Sequence, residues 1–261
     1  MSPKGGARWA GTLGRHFSLA RGFHEPGDKP KRFYNAVSVA AMNDGFTVML
    51  DRRGLRGPKG SPTILPTRAL AEQVAEEWAG QGEQLALAGM HAMRLANTAL
   101  EATPDAREAT ARSIADFAGS DLLCYYAVAP AGLLKEQERL WGPILDRAET
   151  ELGLRFIRVV GIVHQAQPLE TIDRVMTMAL ELDDFGLTGL AFGTALFGSA
   201  VLAIALQLGW LGGDEAFALS RVDEAWQEEK WGVDEEAAER TARLNGEAVM
   251  LDHWFRALTA A

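Results

Sequence analysis

The longest uncharged stretch of the chain, residues 185–213, limits most strongly how this sequence can fold. Its 29 residues exceed the roughly 20 apolar residues that cross a bilayer as a helix. However, Asp183 and Asp184 precede it and Asp214 and Glu215 follow it, so no nearby Lys or Arg sets a membrane orientation. We therefore expect a central bundle helix that is buried on all sides. A membrane-spanning helix is the alternative.

Two glycines four residues apart, Gly189 and Gly193, lie inside this stretch. Small residues at that spacing share one face of a helix and let a neighbouring backbone approach closely. We therefore expect another helix of the bundle to cross at this point.

The composition indicates a globular protein and excludes several classes of function. Of 261 residues, 48% are hydrophobic, which is enough to bury a full core. The formal net charge of −9 argues against nucleic-acid binding, because contacts with phosphates require a basic surface. The single cysteine, Cys124, excludes an internal disulfide and a cysteine-based zinc site, and it suits a reducing compartment.

Basic residues are concentrated at the N-terminus. Residues 1–32 hold seven Lys or Arg residues against Glu25 and Asp28, and they contain no apolar run as long as that of a secretory signal. We expect residues 1–31 to form a flexible basic leader. Their composition also resembles that of a mitochondrial presequence, which stays open as an alternative.

Short strands and turns are predicted after this leader. Apolar residues alternate along residues 46–50, as in a half-buried strand, and the preceding Asn-Asp-Gly at residues 43–45 favours a tight hairpin turn. Thr67 can cap a following helix. One face of that helix bears Leu70, Val74 and Trp78.

Helical periodicity or helix-forming composition covers most of the chain after residue 82, with Pro or Gly between the segments. Two short apolar stretches, residues 122–128 and 156–163, are compatible with either a strand or a buried helix. The pattern therefore predicts a small strand-rich N-terminal part followed by an all-helical part, joined between residues 82 and 103.

Residues 219–232, LSRVDEAWQEEKWG, follow the uncharged stretch and are predicted to form an acidic helix. Leu219, Val222 and Trp226 share one stripe, so the carboxylates occupy the remaining surface. Glu224 and Glu228 are four residues apart, and like charges at that spacing weaken an isolated helix by about 0.2–0.5 kcal/mol. The stretch is either an ordinary solvated bundle helix or an acidic binding surface.

Patterns typical of catalysis or of cofactor binding are absent from the sequence. There is no GxSxG nucleophile motif, no GxxxxGK phosphate loop and no dinucleotide fingerprint after a strand. The five histidines are isolated from one another and lack metal-ligand spacing. We expect no cofactor and no metal, and we interpret the chain as a binding protein. A soluble enzyme with an acidic carboxylate pocket in a helical bundle is the alternative.

Short motifs recur along the chain in a specific order and spacing. They are Arg32-Phe33-Tyr34, Leu50-Asp51, Pro58-Lys59, Leu65-Pro66-Thr67, Leu70-Ala71, Glu77-Trp78, Gln81, Leu95-Ala96-Asn97-Thr98-Ala99, Asp121-Leu122-Leu123-Cys124-Tyr125, Gln137, Trp141, Pro143, Leu219-Ser220-Arg221, Glu224 and Lys230-Trp231-Gly232. Together they resemble the motifs of a family of assembly chaperones, which handles the α subunit of the soluble catalytic head of the F-type ATP synthase in mitochondria and α-proteobacteria. His91 and Gly142 depart from the usual family pattern at turn or helix-start positions.

This resemblance implies a fold and an activity. The expected fold is α+β, with a small β-hairpin-rich N-terminal domain at residues 32–95 and an all-α orthogonal helical bundle at residues 96–261. The expected activity is not catalysis. The protein is expected to bind an unassembled α subunit and to shield its subunit interface until the β subunit replaces it. We expect a monomer in the bacterial cytoplasm, with the mitochondrial matrix as the alternative compartment.

The resemblance also implies where the client binds. The acidic position that the family has in its Leu-Ser-Arg helix corresponds to Glu224, which is the first predicted client-binding residue. We expect Asp223 and Glu228 to support it, Arg221 to belong to the same site and Trp231 to act as an apolar anchor. An exposed acidic surface around Glu224 would favour the chaperone, whereas inward-facing carboxylates around a metal or small ligand would favour the enzyme.

Overall fold

The computed structural model describes residues 30–232 and 234–260. The predicted basic leader, residues 1–31, therefore lies outside the described residues except for its last two. Within the described residues, five strands and ten α-helices form a mixed structure that is mostly helical, which confirms the α+β class. The strands are β1 (Val37–Met42), β2 (Gly45–Leu50), β3 (Arg53–Gly54), β4 (Tyr125–Tyr126) and β5 (Val159–Val160).

From α5 onward the helices follow one another with short connections, whereas longer segments precede α2, α4 and α5. α2 includes residues 95 and 96, where the domain boundary is predicted, and the division into domains stays a prediction. The helices are α1 (Arg68–Ala79), α2 (His91–Glu101), α3 (Thr103–Ala118), α4 (Ala131–Leu152), α5 (Leu169–Glu181), α6 (Asp184–Phe197), α7 (Ala200–Gln207), α8 (Gly213–Ser220), α9 (Val222–Trp231) and α10 (Glu235–Thr259).

β1, β2 and β3 form an antiparallel sheet at the N-terminal end. Met42 lies opposite Gly45, so the hairpin turns through Asn43 and Asp44 as predicted. Glycine is required at the end of this turn, because φ of Gly45 is +147° and a Cβ there would lie 2.4 Å from the carbonyl oxygen of Leu65.

α1 packs on this sheet and begins at the predicted cap. The Oγ1 of Thr67 accepts a 3.1 Å hydrogen bond from the backbone N–H of Leu70 and donates a 2.7 Å hydrogen bond to the carbonyl oxygen of Ala257. Leu70, Val74 and Trp78 are buried, as their spacing predicts. The Thr67 hydroxyl thus links the N-terminal part to α10.

The uncharged stretch forms two helices, α6 and α7, and the prediction of a single helix is wrong. α6 ends at Gly198, whose φ of +64° is left-handed, and Ser199 then caps α7 by accepting a 3.0 Å hydrogen bond from the N–H of Leu202. Nearly every residue of α7 and most residues of α6 are buried, as expected for the centre of a bundle. Within the described ranges, no helix is both long and apolar enough to cross a membrane.

The two glycines of α6 lie where α10 crosses it, which confirms the predicted close approach. A Cβ on Gly189 would lie 2.9 Å from Nε1 of Trp254, and one on Gly193 would lie 2.8 Å from Cδ2 of Leu251. The indole N–H of Trp254 also donates a 3.2 Å hydrogen bond to the carbonyl oxygen of Phe185. Large α10 side chains therefore fill the space that the glycines leave open.

The two ambiguous apolar stretches contribute β4 and β5, which pair in parallel. Tyr125 lies opposite Val159, and Tyr126 lies opposite Val160. The segment after β5 turns away at Gly161, where φ is +104°. In the first stretch, residues 122–124 form a turn of 3-10 helix with Leu123 and Cys124 buried, and β4 follows it directly. The first stretch is therefore part helix and part strand, whereas the second contributes only the strand β5.

Candidate functional site

The predicted acidic helix at residues 219–232 is divided at Arg221, and the prediction of one continuous helix is wrong. α8 packs against α10, whereas α9 packs against α4. The indole N–H of Trp141 donates a 2.9 Å hydrogen bond to the carbonyl oxygen of Leu219 and fixes the end of α8. Gly232 ends α9, as predicted.

Arg221 and Glu228 form an ion pair within the site. The Nη2 of Arg221 lies 2.5 Å from Oε1 of Glu228, and the guanidinium also lies 5.8 Å from the ring centre of Phe217. Both charged side chains are partly buried. This pairing neutralises Glu228 and offsets the repulsion predicted between Glu224 and Glu228.

Asp223 is engaged by a buried amide from α4. The Nε2 of Gln137 donates a 2.6 Å hydrogen bond to Oδ1 of Asp223. The Oε1 of Gln137 accepts a 2.7 Å hydrogen bond from the N–H of Ala127. Gln137 is fully buried, so the amide holds α9 and the loop after β4 in a fixed relation. Asp223 therefore positions α9 as well as contributing charge.

A close contact between α4 and α9 completes this arrangement. A Cβ on Gly132 would lie only 2.6 Å from Cη2 of Trp226, so the absence of a side chain makes room for the indole. Val222 is buried beside this contact, and the Nζ of Lys230 lies 5.0 Å from the centre of the Trp226 ring. α9 is thus fixed along one side.

The other side of α9 is open to solvent and includes Glu224. Among the described residues, the carboxylate of Glu224 makes no hydrogen bond and no ion pair, in contrast to those of Asp223 and Glu228. Trp231, the last residue of α9, is 80% exposed. The structure therefore presents one free carboxylate and one large apolar side chain on the same short helix.

A groove of about 730 Å³ separates α9 from the first half of α10. Its α9 wall includes Glu224 and Glu228, and Arg221 lies at its end. The α10 wall carries both signs of charge, and the remaining lining is largely apolar. The lining on α10 and at its N-cap includes Asp234, Glu236 and Arg240, and the apolar part includes Leu122, Leu196, Phe197 and Leu244.

A protein of known structure shares this fold and extends over nearly the same length. It is the crystal structure of Atp12 from Paracoccus denitrificans, which is 35% identical to this chain. The alignment covers 87% of this chain and 97% of the Paracoccus chain, with a TM-score of 0.80. The chain belongs to the ATP12 chaperone family.

Other similarities agree with membership of the ATP12 family. The family described as ATP12 chaperone protein matches residues 31–149. A protein from Agrobacterium tumefaciens described as a candidate chaperone is 40% identical, with 88% of this chain and 87% of that chain covered and a TM-score of 0.83. The mitochondrial protein atp12 of Schizosaccharomyces pombe is 23% identical over 225 residues, which are 80% of this chain and 76% of that protein.

Family membership confirms the class of protein predicted from the motifs, the assembly chaperones of the F-type ATP synthase. Because relatives are described as chaperones, the prediction of a protein that is not an enzyme is also confirmed. Among the described residues, no cluster of His, Cys, Asp or Glu is arranged to hold a metal ion.

The structure brings the predicted residues together and adds others that sequence reasoning missed. Arg221, Glu224 and Glu228 line one groove, and Asp223 and Trp231 lie on the same helix. The α10 wall was not predicted, because charged residues at helical spacing give no signal that distinguishes a groove from an ordinary solvated surface. Gln137 belongs to the matching motifs, but its contact with Asp223 and the contact of Gly132 with Trp226 join distant segments, and no local pattern indicates them.

We expect Gly132→Ala to destabilise the protein by about 1–3 kcal/mol, because the new methyl group must displace the Trp226 indole and with it α9. Denaturant unfolding measures this change. Gly246→Ala is the matched control, since Gly246 also lies within a helix but a Cβ there would meet no atom within 4 Å. The control is expected to stabilise by about 0.5–1 kcal/mol. Equal effects of the two substitutions would contradict the role assigned to Gly132.

Proposed function

We propose that this chaperone binds the unassembled α subunit of the F-type ATP synthase and shields its subunit interface until the β subunit replaces it. Membership of the ATP12 family supports the class of function, and the sequence motifs support the choice of client. An unassembled subunit exposes an apolar contact surface that is prone to association, and a reversible cover prevents this.

The observation that carries the proposal is the free carboxylate of Glu224. Its neighbours on α9 are engaged, Asp223 by Gln137 and Glu228 by Arg221, whereas Glu224 faces solvent beside the groove. An exposed carboxylate that has no partner among the described residues is suited to meet Arg or Lys on a client. This exposure also favours the chaperone over an enzyme whose carboxylates would converge on a ligand.

The groove and Trp231 supply the rest of the proposed interface. The groove has an apolar floor between charged walls, so an apolar side chain of the client can be buried while its basic neighbours meet the α9 carboxylates. Trp231 is exposed at the end of α9 and can add a large contact area at a small cost in side-chain entropy. Charge at the rim then sets the rate and specificity of association.

We expect Glu224→Lys to weaken binding of the isolated α subunit by about 30-fold or more, because a like charge replaces an attractive pair at the interface. The dissociation constant for the purified subunit measures this effect. Glu229→Lys is the matched control, since it makes the same charge change on the same helix outside the groove and on an exposed side chain. Circular dichroism should show both variants folded.

Two results would contradict the proposal. If Glu224→Lys bound the α subunit as tightly as the unchanged protein, Glu224 would not contact the client. If the unchanged protein retained the isolated β subunit and not the α subunit, the assignment of the client would be wrong.

We propose further that the protein acts as a monomer in the bacterial cytoplasm, with the mitochondrial matrix as the alternative. The single cysteine suits a reducing compartment, and the high Ala and Gly content of an acidic chain favours a bacterial source. Analytical ultracentrifugation of the purified protein measures its molecular mass and so tests whether it is a monomer.

A further inference from the structure

Four β-branched apolar side chains form an exposed patch away from the groove. We name Val128, Val160, Ile162 and Val163 the apolar loop patch. Their exposed fractions are 72%, 60%, 96% and 78%. Single exposed apolar residues are ordinary, but four large ones on two neighbouring segments are typical of an interaction surface.

Hydrogen bonds to β4 hold this patch in place. The N–H of Gly161 donates a 2.8 Å hydrogen bond to the carbonyl oxygen of Tyr126, and the hydroxyl of Tyr125 lies 3.2 Å from Nδ1 of His164. A Cβ on Gly161 would lie 3.4 Å from Cγ2 of Val128, so the two segments of the patch are in contact. The apolar side chains between these bonds therefore project from a backbone that is fixed on both sides.

The patch is connected to the proposed client-binding helix by one buried side chain. Val128 directly follows Ala127, whose N–H donates to Gln137. The amide nitrogen of Gln137 in turn donates to Asp223, the residue before Glu224. The start of α4, which follows the Val128 loop, also packs against α9 through Gly132 and Trp226. Val128, at one edge of the apolar loop patch, is therefore close to the first half of α9.

We propose that the apolar loop patch is the apolar half of the client interface and covers part of the exposed subunit-contact surface of the same α subunit. This inference rests on the proposed function. Protein interfaces combine an apolar region with a charged rim, and the four exposed side chains of the patch would extend the apolar region that the floor of the groove and Trp231 provide. β-branched side chains are stiff and therefore lose little rotamer freedom when a partner covers them.

The experiment replaces the two most exposed members of the patch together, Ile162→Ser with Val163→Ser. Because both side chains project into solvent, their loss leaves no cavity, and circular dichroism and thermal unfolding should match those of the unchanged protein. We expect the dissociation constant for the purified α subunit to rise at least tenfold. Met42→Ser is the matched control, since Met42 is 51% exposed on the hairpin of the N-terminal sheet. The control should bind as tightly as the unchanged protein.

The outcomes separate this inference from the proposed function. If Glu224→Lys no longer binds the α subunit while the double variant binds it as tightly as the unchanged protein, the patch does not contact the client and only the proposed function stands. If the unchanged protein does not bind the α subunit, both fail. If the double variant binds normally but converts a dimer of the unchanged protein into a monomer in sedimentation, a second copy covers the patch and the inference is overturned. The inference is also overturned if the unchanged protein floats with phosphatidylglycerol vesicles, the double variant does not, and both bind the α subunit equally well.

Discussion

Gly213→Ala is expected to lower the free energy of unfolding by about 3 kcal/mol or more, at the upper end of the usual range for overpacking. Gly213 is the first residue of α8 and lies against the backbone of α10. A Cβ there would lie 2.5 Å from the carbonyl oxygen of Ala248 and 2.7 Å from Cα of Val249. Since both atoms are backbone, no side-chain rotation relieves the contact and the two helices must separate.

Denaturant unfolding of Gly213→Ala beside Gly246→Ala measures this effect. Both substitutions add one methyl group within a helix, but only the first meets another backbone. A loss of less than about 1 kcal/mol in Gly213→Ala would mean that α8 and α10 separate easily and that their contact does not fix the fold. A variant that expresses only in an unfolded form would agree with the expected effect.

This contact also matters for the proposed interface. α8 packs against the middle of α10, while the first half of α10 extends beyond α8 and forms one wall of the groove. The position of that wall therefore depends on how closely α8 and α10 approach. The opposite wall is α9, whose position is set separately by its contacts with Gly132 and Gln137 of α4.

Much of the fold could be predicted from local patterns. The point at which the uncharged stretch divides could not be predicted, because burial on every side hides it. The hairpin turn at Gly45, the Thr67 cap and the close approach at Gly189 and Gly193 all follow from properties of a few neighbouring residues. The division of the uncharged stretch at Gly198 was not predicted, because a residue run that is buried on every side has no periodicity to mark where one helix ends.

The choice of Arg221, Asp223, Glu224, Glu228 and Trp231 as client-binding residues stays a prediction, and their arrangement was not predicted from the sequence. Glu224 and Trp231 were identified through motifs, and both are exposed. α8 packs against α10 and α9 packs against α4, and the sequence around Arg221 contains no Gly or Pro that would indicate the break between them. The contact between Gln137 and Asp223 joins residues 86 positions apart, a distance that local periodicity cannot address.

Asp121 is the most deeply buried carboxylate that forms several hydrogen bonds within the described ranges. It accepts hydrogen bonds from the hydroxyl of Ser199 and from the N–H groups of Leu123 and Val201. It thereby joins the segment before β4 to the start of α7, where the uncharged stretch divides. Burial raises the pKa of Asp121 to about 6, although these hydrogen bonds act in the opposite direction.

The raised pKa predicts a specific dependence of stability on pH. Between the ordinary carboxyl pKa near 4 and a folded pKa of about 6, the folded state binds more protons at this group than the unfolded state. The contribution of Asp121 to stability is therefore fully present below about pH 4 and is lost as pH rises through about 6. From the two pKa values, we expect this loss to be about 3 kcal/mol.

Asp121→Asn isolates this contribution, because the amide does not titrate while every other group is unchanged. We expect the free energy of unfolding of the unchanged protein to fall by about 2 kcal/mol relative to Asp121→Asn between about pH 4 and pH 6.5, which is most of the total loss. Denaturant unfolding of both proteins across this range gives the difference curve, in which other carboxylates such as Glu77 cancel. A difference that stays constant with pH would show that Asp121 remains charged, so that the donors around it outweigh its burial. A difference that changes in the opposite direction would show that those donors lower its pKa and that the start of α7 is stabilised by the charge itself.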